Sequence, residues 1–357
     1  MKASVKFLYL TLTLSGTLTA GAVDYVVSGA VSGCDGKKIY MKDYARNATI
    51  DSAIISNGSF ALNGSYSRDA FVRVGFENRY ANCILSEGPT EVDLSTHSPL
   101  GGSPANRALA DFIAWRESFN KAYDDTVALL RQRYPDPQTF RSEVKKRYDT
   151  VGPLYRSHLD SVFSSNKDNG CAEALVMEYN SILQPDEWSA VYDSFPQRLK
   201  ELKNTQKFNK RFTALNTTAE GCPFADLTGK DSSGNPVRLS DYVGHGKYVL
   251  VDFWASWCGP CRMEAKETLI PLYEKYKDDD RLVILGVATW DKAENTVKAI
   301  SAHGYNWPQI LDAGMTPMEI YGFDGIPQII LFGPDGTILK RNIRGTSITT
   351  AVEEALR

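Results

Sequence analysis

Histidine is scarce in this sequence, and the pattern of a metal site is missing. His97, His158, His245 and His303 stand singly, and the one C-x-x-C pair has no second C-x-x-C or H-x-x-x-H to complete a four-ligand zinc site. No metal and no cofactor is therefore expected. A basic surplus is absent too. The 40 Lys and Arg stand against 43 Asp and Glu, a formal net charge of −3, which leaves no electrostatic footprint for nucleic acid. Lys200, Lys203, Lys207, Lys210 and Arg211 fall at helical spacing and read as one solvated face. Nor is there an apolar run of membrane-spanning length: Phe7–Leu14 is short and lies among threonines.

That short run reads instead as the core of a leader. Lys2 and Lys6 precede it and Ala20-Gly21-Ala22 supplies an A-x-A cleavage signal, so residues 1–22 are expected to be a signal peptide. No cysteine follows the cleavage site to carry a lipid. Export places the mature chain in a periplasm or cell envelope, where disulfides persist.

A chain of 357 residues with 43 % hydrophobic content can bury more than one core, and two to three domains are expected. Residues 23–98 alternate short β-type runs with turns, among them Asp35-Gly36 and Asn57-Gly58, and predict a small antiparallel β domain of sandwich type. The period changes over 99–212. Ser103 before Pro104 signals a helix start, and Leu109, Phe112, Ile113, Tyr123, Val127 and Leu130 recur at helical spacing. Further amphipathic runs follow, one interrupted by Pro153, so this stretch is expected to be a helical segment. Residues 213–357 alternate strands and helices and close with a hairpin at Pro334-Asp335-Gly336, which predicts an α/β domain: a mixed sheet flanked by helices.

The most informative stretch is VLVDFWASWCGPCR, Val249 to Arg262: a buried strand that runs into the first turn of a helix. Unpaired N–H groups and the macrodipole at a helix start favour a thiolate there, which makes Cys258 the nucleophile candidate. Cys261 follows one turn later, within disulfide reach. A purely structural disulfide would close so short a ring that it constrains little chain entropy, so the spacing favours redox chemistry. Asp252 lies inside the apolar strand. A carboxylate there is costly unless protonated or partnered, which raises its pKa and makes it a candidate proton acceptor for Cys261; the alternative is a carboxylate that bonds backbone or water at a strand end.

FWASWCGPC, the preceding LSDYVGHGKYVLVD and the later GIPQIILFGPDGTI resemble the thioredoxin superfamily, and specifically its exported TlpA/ResA-like thiol-disulfide oxidoreductases. The upstream β and helical regions, beginning their helices near GSPAN, are similar to Bacteroidetes envelope proteins with a domain of unknown function ahead of this module. The resemblance implies a nucleophilic Cys258, a resolving Cys261, a cis proline at Pro327 against their disulfide, and a buried acid at Asp252. It also implies a further carboxylate at Glu264, although a helical glutamate beside Met263 and Lys266 reads equally as a solvated side chain. Trp257, Gly259, Pro260, Ile326 and Pro327 are the implied client-binding residues. Gln328 departs from the threonine common after that proline.

Cys34, Cys83, Cys171 and Cys222 allow several pairings; Cys34 with Cys83, both in the β domain, is the expected structural disulfide. The function expected is reduction of oxidised cysteines in client proteins, fed by a membrane electron donor, with Gly-Pro between the cysteines favouring the reducing direction. Three alternatives stay open: a disulfide oxidase or isomerase, a thiol peroxidase, and an envelope ligand-binding protein with an accessory redox domain. The peroxidase is disfavoured because no P-x-x-x-T-x-x-C pattern surrounds a lone cysteine.

Overall fold

The computed structural model describes residues 22–357. The signal peptide expected over 1–22 lies, but for its last residue, outside them. The chain divides into two compact units, one taking the chain up to Ser181 with Phe195–Lys203, the other Ile182–Ser194 with Asn204–Arg357.

In the first unit, β1 (Val23–Ala30), β2 (Lys38–Asp43), β3 (Ala48–Ile54), β4 (Ser59–Tyr66), β5 (Ala70–Phe76), β6 (Arg79–Leu85), β7 (Gly88–Asp93) and β8 (Ser98–Pro99) form two four-stranded sheets, ordered β4-β1-β7-β8 and β3-β2-β5-β6. All pairings are antiparallel except β1 with β7. Alternation puts Val27, Leu62 and Val92 of one sheet and Ile39, Met41, Val72 and Val74 of the other into a single core. Asn57, at φ 51°, and Gly58, at φ 67°, make the tight turn before β4 that their sequence signals.

The helical stretch follows as α1 (Pro104–Arg133), α2 (Pro137–Asn166), α3 (Cys171–Ile182), α4 (Pro185–Asp193), α5 (Gln197–Lys200) and α6 (Lys203–Thr217). Ser103 caps α1, its hydroxyl accepting from Asn106 N–H at 3.2 Å. Asn106 then fixes the helix to the sheet: its amide accepts from Ile84 N–H at 2.7 Å and donates to Ile84 O at 2.8 Å. The break expected at Pro153 does not occur, and α2 runs through the proline. Buried Val151, Tyr155 and Leu159 on both sides hold the helix where one backbone bond is lost. The first unit takes α1 to α3 and α5, while α4 and α6 fall in the second, where Trp188 of α4 stacks on Phe212 of α6 at 4.6 Å.

The second unit continues with a hairpin of β9 (Thr228–Lys230) and β10 (Pro236–Arg238), then β11 (Tyr248–Trp254), α7 (Gly259–Glu264), α8 (Ile270–Tyr276), β12 (Leu282–Ala288), α9 (Ala293–His303), β13 (Gln309–Ile310), α10 (Thr316–Tyr321), β14 (Gln328–Phe332), β15 (Ile338–Arg341) and α11 (Thr346–Ala355). The central sheet is ordered β13-β12-β11-β14-β15. Its first three strands are parallel, and β14 and β15 are antiparallel to their neighbours. This is the thioredoxin-like architecture.

The strand β11 shows how the sheet places the chemistry. Val249, Val251 and Phe253 enter one core, Leu250 and Trp254 the other, which also holds Cys258, Cys261 and Ile348 of α11. The two-residue period therefore turns Asp252 toward the side of the cysteines. The helix after β11 is not uniform: a π-turn, with Ile270 N–H bonded to Ala265 O, separates α7 from α8. Pro271 explains it, because proline has no N–H and its ring crowds the carbonyl of the preceding turn.

Candidate active site

The end of β11 delivers Cys258 to the N-cap position of α7, with extended backbone angles. Cys258 and Cys261 are joined in a disulfide with their Cα atoms 5.3 Å apart, and Cys258 Sγ accepts from Cys261 N–H at 3.1 Å. Both cysteines are buried, 3 % and 1 % exposed, so exposure barely separates them. What separates them is the neighbour: the Ile326 carbonyl oxygen lies 3.7 Å from Cys258 Sγ. The Ile326–Pro327 bond is cis, the geometry the resemblance implies. Gln328 follows, buried in β14 opposite Phe253.

Asp252 is buried among apolar side chains, opposite Ile329 of β14, and its Oδ1 has no hydrogen-bond partner. Burial pushes its carboxyl up to about 8; the charge of Arg344 opposes the rise and that of Glu264 adds to it. Glu264 is anchored rather than free in solvent, since its Oε1 accepts from Gly345 N–H at 3.0 Å, just ahead of α11.

The sequence reading missed three contributors. Arg344 is one: its guanidinium donates to the carbonyls of Pro327 and, at 3.0 Å, Ile343. Tyr305 is the second, buried against Trp254 with ring centres 5.1 Å apart. Its hydroxyl is pushed up to about 12, first by burial and then by the charge of Asp252. Trp290 is the third. It has a left-handed backbone at φ 55°, its carbonyl accepts from Trp257 Nε1 at 2.9 Å, and the two exposed rings meet edge to face at 5.1 Å. The segment carrying Trp290 also steadies the turn before Cys258, as Asp291 Oδ2 accepts from Ser256 N–H at 2.6 Å. Gly259 and Pro260 lie on the outer side of the disulfide turn, half-buried and exposed.

One expectation is corrected. Cys34 and Cys83 share the β core but do not pair; both are free thiols, and Cys34 Sγ instead accepts from Arg79 Nη1 at 3.1 Å. Cys83 sits within β6 opposite Val72, and membership of one core does not bring two sulfurs into disulfide geometry. Cys171 and Cys222 are free as well. Among the described residues no cluster of three His, Cys, Asp or Glu side chains is placed to hold a metal, and no helix is long and apolar enough to cross a membrane.

Comparison with known proteins covers the two ends of the chain. Residues 221–341 match the AhpC/TSA family and residues 25–109 a domain of unknown function, DUF4369. The thiol-disulfide oxidoreductase ResA of Bacillus thuringiensis subsp. konkukian is 30 % identical over 128 residues, 36 % of this chain and 70 % of that protein. ResA of Geobacillus thermodenitrificans is 29 % identical over 147 residues, 41 % of this chain and 80 % of that protein. A crystal structure of the thioredoxin domain of a Bacteroides vulgatus thiol-disulfide oxidoreductase is 37 % identical, with a TM-score of 0.36, and covers 39 % of this chain and 99 % of that one.

Proposed function

Because this chain belongs to the thiol-disulfide oxidoreductase family that includes the ResA proteins, we propose that it reduces disulfides in client proteins of the cell envelope through Cys258 and Cys261. In the reduced protein the Cys258 thiolate attacks one sulfur of the client disulfide. That bond breaks, a mixed disulfide forms on Cys258, and the other client sulfur leaves and takes a proton. Cys261 passes its proton to the Asp252 carboxylate and attacks Cys258 Sγ. The mixed disulfide breaks, the second client sulfur leaves and takes the proton that Asp252 holds, and the Cys258–Cys261 disulfide closes. Two electrons and two protons have then moved to the client. An electron donor, expected in the membrane, must reduce the pair for another turn.

The observation that carries this reading is Asp252: a buried carboxyl without a partner for Oδ1, on the face of the sheet that holds both cysteines. A structural acid is satisfied by hydrogen bonds, whereas a group kept near neutrality exchanges protons at working pH. Ile326 O beside Cys258 supports a client chain lying across the site, with Trp257 and Pro260 exposed at its edge. The leader-like residues 1–22 support export, and Gly-Pro between the cysteines supports the reducing direction.

Equilibration with glutathione buffers tests that direction. A reductase holds its dithiol and disulfide in balance near the thioredoxin range, about −270 mV; a midpoint near about −120 mV, that of a strong oxidant, would overturn the assignment.

A further inference from the structure

We propose that Arg344 is a positioning residue of the resolving step: it ties the Pro327 loop to the loop that caps α11, and its charge keeps Asp252 able to accept the Cys261 proton. This inference rests on the function proposed above and names a residue that the C-x-x-C motif does not contain.

The geometry comes from a reversal of the chain after β15. Asn342, at φ 54°, and Gly345, at φ 52°, both have positive φ, and between them the chain presents Arg344 and the Gly345 N–H to the active site. Arg344 donates to the carbonyl of Pro327 while Gly345 donates to Glu264 Oε1 at 3.0 Å. One short loop thus holds the residue next to the Ile326 carbonyl and the first helix after the cysteines. A planar guanidinium suits this task because it fixes two carbonyls, here Pro327 and Ile343, in a defined geometry.

The charge has a second effect. The charges that reach Asp252 come from two elements, Arg344 before α11 and Glu264 on α7, while the charge of Asp252 in turn reaches the hydroxyl of Tyr305 before β13. Arg262 of α7 acts on Tyr305 in turn. Of these, Arg344 is the positive charge that opposes the effect of burial on Asp252. Asp252 Oδ1 has no hydrogen-bond partner, so this oxygen meets Arg344 through the field rather than through a bond. Without the guanidinium, Asp252 holds its proton to higher pH and cannot take another from Cys261. Burial lowers the pKa of Arg344, and the two carboxylates facing it act the other way, Glu264 more than Asp252.

The test is the pH-rate profile for reduction of a disulfide-linked peptide by the prereduced full chain, in wild type, Arg344→Gln, Arg344→Lys and Asp252→Asn. In Arg344→Gln the acid limb moves up by about one pH unit or more, the effect of losing an adjacent opposite charge. That is roughly a tenfold loss at pH 6.5 with a near wild-type rate at pH 9.5. Arg344→Lys keeps the charge and the position of the limb but reacts more slowly, because lysine lacks the planar fork. Adding Arg344→Gln to Asp252→Asn shifts no limb. An equal loss at every pH in Arg344→Gln overturns the proposal, and so does a displaced limb in Arg344→Lys, which serves even where the glutamine variant does not fold. A wild-type chain inert at every pH would instead overturn the reductase reading itself.

Discussion

The Ile326 carbonyl oxygen stands 3.7 Å from Cys258 Sγ, at the first cysteine of the pair. A client chain paired along Ile326 would meet that sulfur first, which agrees with the helix-start position of Cys258. Brief alkylation of the reduced protein at neutral pH should modify Cys258 ahead of Cys261. Mass spectrometry of the labelled peptides measures the order, and preferential labelling of Cys261 would reverse the roles.

Asp252 makes stability depend on pH. Burial holds its folded-state carboxyl near about 8 against 3.8 as the reference. Between those values the folded state keeps a proton that the unfolded state has lost. The contribution is therefore full below the unfolded value and falls with rising pH, by at most about 1.4 kcal/mol per unit, until the folded group ionises near 8. Asp252→Asn removes the dependence. Urea denaturation of the oxidised chains at pH 5 and pH 8 should show the variant gaining on wild type as pH rises, and a constant difference would contradict the buried-acid assignment.

Glu264 tests the anchor at Gly345. Glu264→Gln keeps an oxygen for the Gly345 N–H and should change stability by less than about 0.5 kcal/mol. Glu264→Ala leaves that half-buried donor unpaired and should cost about 1 kcal/mol or more. Equal stabilities for the two variants would mean that the contact adds nothing.

The core thiols should be silent in the native state. Burial pushes Cys83 and Cys171 up to about 12, and Cys34 is buried with them, whereas Cys222 is partly exposed. A thiol reagent applied to the oxidised native chain should label Cys222 alone, with the other three reacting only after denaturation. A Cys34–Cys83 crosslink in the peptide map would restore the pairing that the structure does not show.

The parts of the site that could be read from the sequence are those carried by contiguous segments. Cys258, Cys261 and Asp252 share one strand-to-helix run, and Pro327 opens a strand within its own recognisable segment, so pattern and chemistry coincide there. Arg344 and Gly345 were not legible, because RNIRGTS reads as an ordinary turn until the fold brings it to Pro327 and Glu264. Tyr305 and Trp290 were hidden for the same reason: an aromatic residue in a loop says nothing of the ring or sulfur it will meet. The Cys34–Cys83 expectation failed because counting cysteines in a domain does not fix the distance between them. The π-turn was readable in principle from Pro271, a proline inside a helical run.

The most direct measurement is a single turnover. One equivalent of a disulfide-linked peptide is mixed with the prereduced full chain and the products are resolved by mass. The account predicts two free peptide thiols for each Cys258–Cys261 disulfide formed, no reaction in Cys258→Ser, and a peptide left covalently attached to Cys258 in Cys261→Ala. An intact peptide disulfide in the wild type, or an adduct on any other cysteine, would contradict it.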